Sequence, residues 1–237
     1  WWRFSPEANR EAERLLRLAT GLDPGFAPAF AFLAATLANA YSNGWTDTPA
    51  EALEEAEKAA RQAVKLDERY PHALWSLAMT LSWARRNDEA LGVAEKAIAF
   101  NPNFADGHSM VGVQLHFVGR SAEAITFFDR AMALDPHFNS LILYFRAQAL
   151  YQIGQYGEAA SLLKRRILRN PETDASRALL AASYGQMGLI DEAREAWRDL
   201  IRINPEYSVE RRRNVVPYKN PADFERIVEG LRKAGLP

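Results

Sequence analysis

Several stretches of this chain have residue types that could do chemistry, and their spacing decides what chemistry that would be. Gly107-His-Ser-Met-Val-Gly112 has the paired glycines of a phosphate-cradling loop, which a Lys and a hydroxyl must follow to grip phosphate and magnesium. Val113 and Gln114 stand in those places, so no side chain engages either group. Ser161-Leu-Leu-Lys164 has the spacing of a lysine-activated serine nucleophile, without the SDN and KTG motifs that complete such a site. The histidines are His72, His108, His116 and His137, and no two sit four apart on a helix where they could share a metal ion. His108 reads as a core residue, and His116 projects inward. With no cysteine in the chain, thiolate nucleophiles, disulfides and cysteine-based zinc or iron–sulfur sites are excluded. Two carboxylates can always meet in space, but nothing singles out a pair. The expectation is a protein that is not an enzyme, with no catalytic residue, no cofactor and no metal. Arg211-Arg212-Arg213 with Lys219 is the one basic concentration; it reads as a solvated turn sooner than as a dock for a phosphate or an acidic partner.

The bulk properties agree. The chain has 237 residues, 48% hydrophobic and 25% charged, with a formal net charge of -1, so it can bury a large core and carries no global field for nucleic acid or anionic lipid. Pro24 through Thr46 carries no charge, but Pro28, Asn39, Asn43 and Gly44 interrupt it and much of the rest is alanine, so insertion in a membrane is not expected. Residue 1 is Trp and no signal peptide is visible; the absence of cysteine fits a reducing compartment, so the expectation is a cytoplasmic piece of a longer protein.

A phrase recurs along the chain: Leu22-Asp23-Pro24, Leu66-Asp67-Glu68, Phe100-Asn101-Pro102, Leu134-Asp135-Pro136, Arg169-Asn170-Pro171 and Ile203-Asn204-Pro205. Most steps are 34 residues, one is 35, and the first is longer by ten. An acidic residue and an alanine open a helix ahead of each later phrase, as in Glu55-Ala56, Glu89-Ala90, Glu123-Ala124 and Glu158-Ala159. Bulky and small residues alternate between the phrases: Leu74, Leu77, Ala78, Leu81, Ala90, Ala97 and Pro102, then Val111, Gly112, Leu115, Ala124, Phe128, Ala131 and Pro136. These positions resemble the tetratricopeptide repeat (TPR), in which small residues let antiparallel helix pairs pack and stack.

The resemblance implies an all-α fold, an α-α superhelix or TPR solenoid of about five helix pairs. It is expected to form a single domain over residues 1–237, with a half-repeat at 5–24, repeats at 27–70, 71–104, 105–138, 140–173 and 174–207, and a capping helix at 220–235. Ser5-Pro6 caps the half-repeat helix, and Thr48-Pro-Ala-Glu51 reads as a capping box. The fourth repeat has Arg146 and Arg166 where the pattern prefers an apolar and a small residue, so its packing is the least secure. Phe224, Ile227, Val228 and Leu231 give the last helix an apolar face that covers the final pair.

In such a solenoid the first helix of each pair lines a concave groove. The resemblance places Trp75, Met79, Trp83, Ser109, Val113, His116 and Phe117 there, followed by Leu141, Tyr144, Gln148, Tyr151 and Gln152, then Ala178, Ala182 and Gln186. That surface is aromatic and amide-rich, suited to an extended protein or peptide segment whose backbone the glutamines hydrogen-bond, and not to a nucleic acid. The aromatics could equally fill the groove against neighbouring helices. Trp45, in the ten-residue extension, is expected on a protruding loop as a further contact.

LDPGFAPAFAFLAATLANAYSNG and the closing INPEYSVERRRNVVPYKNPADFERIVEGLRKAGLP further resemble the C-terminal repeat region of bacterial multidomain signalling proteins such as adenylate or guanylate cyclases. No cyclase catalytic residue is present. The resemblance implies a protein-interaction module that senses a partner, or self-associates, for an upstream effector. The alternatives are a freestanding peptide-binding adaptor and a helical enzyme acting on a small molecule.

Overall fold

The computed structural model describes residues 5–237, so Trp1 lies outside the described residues. Thirteen helices and no strand are found among them. The helices gather into two compact units, one ending at Gln114 and one running from Leu115 to Pro237.

The first unit contains α1 (Pro6–Leu22), α2 (Ala27–Asn43), α3 (Pro49–Leu66), α4 (Pro71–Trp83), α5 (Asn87–Phe100) and most of α6 (Ala105–Phe117). Helix α2 packs on α1, α3 and α4, and α4 packs on α3 and α5. Alanine makes this approach close: Ala34, Ala38, Ala56, Ala60 and Ala90 are buried with Leu33, Leu37, Leu77 and Leu81 in one cluster. Ser5 caps α1 by accepting a hydrogen bond from the Ala8 amide at 3.2 Å. Thr48 precedes α3 but makes no side-chain cap, so the expected capping box does not form. Its own amide is turned toward the Thr46 hydroxyl at 3.2 Å, and Pro49 has no N–H to satisfy at the first helical position.

The ten-residue extension goes mainly into helix length. Helices α2 and α3 have 17 and 18 residues where α4 and α5 have 13 and 14. Trp45 follows Gly44, whose φ of 67° ends α2, and its amide bonds back to the Ala40 carbonyl at 2.8 Å. Trp45 lies on the connection between α2 and α3 and is half-buried.

The second unit holds α7 (Ser121–Leu134), α8 (Leu141–Gln152), α9 (Tyr156–Arg169), α10 (Asp174–Gln186), α11 (Ile190–Ile203), α12 (Val209–Val215) and α13 (Ala222–Lys233). Consecutive helices pack from α7 to α11, and α13 lies against α10. Inside the recurring phrase, the side chains of Asp67, Asn101 and Asp135 each accept the amide two residues on, at 2.8 to 3.2 Å. These Asx turns redirect the chain after the second helix of a pair. Gly119, Gly154 and Gly188 take φ of 88°, 82° and 75° between the helices of a pair, and Arg85 adopts 60° at the equivalent place.

The two arginines of the fourth repeat are accommodated by polar partners. Arg146 donates to Asp129 at 2.7 Å. Arg166 is buried; it bonds the Thr173 and Ser176 hydroxyls and lies over the Tyr144 ring, 5.2 Å from its centroid. Residues 211–213 belong to α12, not to a solvated turn. Arg213 is paired with Glu210 and with Glu225 at 2.8 Å, and Arg212 is half-buried beside Tyr144.

Candidate functional site

In the second unit the inward-facing residues of the helix pairs are already covered, and the chain's own C-terminal segment covers them. His116, Phe117, Tyr144, Gln148, Tyr151 and Gln152 are all buried. Their partners include Tyr218 and the backbone of α13. The His116 ring bonds the Ser121 hydroxyl through Nδ1 and the Tyr218 hydroxyl through Nε2, both at 3.0 Å. Phe117 meets Tyr218 edge-on with centroids 5.4 Å apart.

The polar contacts run from side chains of α8 and α10 to backbone atoms of the segment. Gln152 donates to the Asp223 carbonyl at 2.7 Å, and Tyr151 to the Arg226 carbonyl at 2.7 Å. The half-buried Gln186 reaches the same Arg226 carbonyl at 3.2 Å and accepts from Lys233 at 2.7 Å. In return the Lys219 amide donates to the Phe117 carbonyl, and Arg226 to the Gln152 carbonyl, each at 2.9 Å. Phe117 and Gln152 end their helices, where carbonyls lack intrahelical donors and a cation is favoured by the helix dipole. The segment thus satisfies groups that α6 and α8 leave open.

Close approach of α10 and α13 depends on two glycines. A Cβ on Gly185 would stand 1.9 Å from the Gly230 carbonyl oxygen, and one on Gly230 would stand 2.5 Å from both the Ala182 carbonyl and the Tyr151 hydroxyl. Around this crossing Ile227, Val228, Leu231 and Ala234 are buried. The space left over is a cavity of about 20 Å³ bordered by Tyr144, Gln148, Tyr207 and Arg212, enough for one water molecule and no more.

Burial governs the titration of this cluster. Loss of water holds the His116 imidazole down to about 3 and raises the Tyr218 and Tyr151 phenols well above their usual range. Burial also raises the Asp223 carboxyl, against the pull of Arg226. Every one of these groups is therefore neutral or less readily charged than in water.

In the first unit, Trp75, Met79 and Trp83 are half-buried, as is Ser109. Met79 and Trp83 rest on the alanine–leucine cluster, with Trp83 6.5 Å from the Tyr41 ring. Trp75 rests on Leu74, Ala97 and Phe104. His108, read as a core residue, is half-buried and bonds the Pro102 carbonyl at 2.8 Å. Among the described residues no three His, Asp or Glu side chains stand close enough to hold a metal ion, and no helix is long and apolar enough to cross a membrane.

Tyr218, Asp223, Arg226, Gly185 and Gly230 are the contributors that sequence reasoning missed. Gly185 and Gly230 did leave a signal, since glycine inside a helix disfavours it and marks a close backbone approach.

The family described as "Anaphase-promoting complex, cyclosome, subunit 3" matches over residues 119–200. "Putative adenylate cyclase 3" of Rhizobium meliloti (strain 1021) is 46% identical over 44 residues, which are 19% of this chain and 8% of that protein. Among solved structures, the Cut9–Hcn1 hetero-tetramer of APC/C superposes with a TM-score of 0.73 over 95% of this chain and 40% of that one, at 15% identity. PilW, a type IV pilus biogenesis factor, gives 0.63 at 20% identity over 86% of this chain and 89% of its own. YrrB, described as "a TPR protein with an unusual peptide-binding site", gives 0.52 at 19% identity over 81% of this chain and 93% of its own.

Proposed function

We propose, for a chain that carries the tetratricopeptide-repeat fold, that its work is to hold a segment of another protein without chemistry of its own. In this reading it serves in the cytoplasm as the partner-sensing module of a larger bacterial signalling protein such as a nucleotide cyclase. The observation that carries the scaffold reading is the way these helices grip a polypeptide: Gln152, Tyr151 and Gln186 of α8 and α10 donate to main-chain carbonyls while Phe117, at the end of α6, meets the Tyr218 ring edge-on. The corresponding positions of the first unit, Trp75 and Met79, keep part of their surface toward solvent, so that face is the one we assign to the partner. The cyclase connection draws on the 44-residue likeness to the Rhizobium meliloti protein. YrrB supplies a precedent for peptide binding on this fold.

The test is affinity capture from a native extract with the unaltered chain beside a folded Trp75→Ala/Met79→Ala variant. Loss of a central anchor weakens an interface by about 2 kcal/mol or more, roughly 30-fold. A protein retained by the first and lost from the second supports this reading. Equal retention by both would remove the first unit's face from it.

A further inference from the structure

The segment that fills the face of α8 and α10 is held like a ligand. Its side chains Tyr218, Phe224, Ile227, Val228 and Leu231 are buried, and its main-chain carbonyls accept from Tyr151, Gln152 and Gln186. It is joined to the rest of its unit through α12, a seven-residue helix with no buried residue. Before that pivot, Tyr207 is anchored edge-on to Trp197 at 5.9 Å, and after it burial resumes at Val216.

Release into water is unfavourable, because both apolar surfaces would be hydrated and Tyr151, Gln152 and His116 would lose their partners together. One kind of occupant restores every lost contact with the same geometry, namely the identical segment of another molecule. Exchange of a terminal element between identical chains changes little beyond the pivot and the cost of association. The glycine crossing makes the fit selective, since an incoming helix with a side chain where Gly230 stands collides with Ala182 and Tyr151.

We propose that residues 216–237 are a transferable ligand: the face of α8 and α10 accepts this segment from a second copy of the chain, joining two copies by exchange about α12. The inference does not depend on what the first unit binds, so the two readings can fail separately.

Two full-length variants test it. Gly185→Leu blocks the receiving face and leaves the segment intact; Gly230→Leu spoils the segment and leaves the face intact. Each alone is expected to sediment as a monomer, and an equimolar mixture to form a 1:1 complex of twice that mass. A mixture of two folded variants that stays at monomer mass overturns the proposal. Should either variant lose its helical signal, hydrogen exchange on the unaltered chain decides. Exchange of α13 amides while α8 and α10 stay protected supports a detachable segment, and exchange of all three helices in a single opening refutes it.

Discussion

His116 is a buried imidazole with a hydroxyl on each nitrogen, Ser121 on one side and Tyr218 on the other. A neutral ring offers one donor and one acceptor, and two hydroxyls can meet either tautomer. The protonated ring must shed water with no counter-charge to offset the loss, which is why its pKa falls from 6.5 to about 3. A depressed folded-state value means that the neutral ring's contribution is complete above pH 6.5 and drains away as the pH falls toward 3. The steepest loss is about 1.4 kcal/mol per pH unit. Asp223 acts with the opposite sign: its raised carboxyl binds a proton more readily in the folded chain, so its penalty eases on acidification. Comparing urea midpoints at pH 7 and pH 5 for the unaltered chain and His116→Gln isolates the histidine. The unaltered chain should lose stability over that interval and the variant should lose clearly less; parallel behaviour would show that the ring has no part in it. That His116 falls on α6 was legible from the period, because the repeat fixes the bounds of that helix. Its partner was not, because Tyr218 lies 102 positions away in a segment outside the repeat.

At the scale of elements, α10 and α13 cross where neither helix has a side chain. Replacing a helical glycine by alanine ordinarily gains about 1 kcal/mol from intrinsic propensity. Gly92 in α5 has nothing within 4 Å of its absent Cβ, so Gly92→Ala should show that gain. Gly230→Ala should instead lose about 1–3 kcal/mol by overpacking against Ala182 and Tyr151. Chemical denaturation of the pair checks both signs, and a stabilised Gly230→Ala would mean that the two backbones are not held this close. The helices themselves were readable: alanine and leucine at the packing positions, Asx turns in the recurring phrase and glycine between helices all follow from a period of 34 residues. The seat of the last helix was only half readable. Phe224, Ile227, Val228 and Leu231 announce that α13 buries one face, and the expected cap over the final pair does pack on α10. Its reach to α8 rests on the carbonyls of Asp223 and Arg226 and on Gly230, which leave no hydrophobic period, while the end of α6 is met by Tyr218 and Lys219, ahead of α13. The short α12 was hidden for a related reason, since three consecutive arginines suggest solvent until Ser208 is seen to cap a helix by accepting the Arg211 amide at 3.1 Å.

For the molecule as a whole, charge contributes little to cohesion. With 29 basic and 30 acidic residues the chain is nearly neutral, and ion pairs such as Arg61–Glu89 and Arg86–Glu57 lie on the surface. Exposed pairs of this kind are screened by salt and contribute between about 0 and 1 kcal/mol each. Raising salt from 0.1 to 0.5 M should therefore move the melting temperature by no more than about 4 °C. A larger drop would mean that the surface pairs act as a coupled network. The contacts that seal α13 onto α8 and α10 are apolar or hydrogen-bonded and should persist under the same change. Their order along the chain also has a consequence for synthesis. The face of α8 and α10 is complete once Gln186 has been made, yet Phe224 and Leu231 come later from the ribosome. At about 5–20 residues per second that face waits for several seconds with its apolar floor open. A nascent chain is thus receptive before it is self-sufficient, and on a crowded polysome the first segment to arrive can belong to a neighbour.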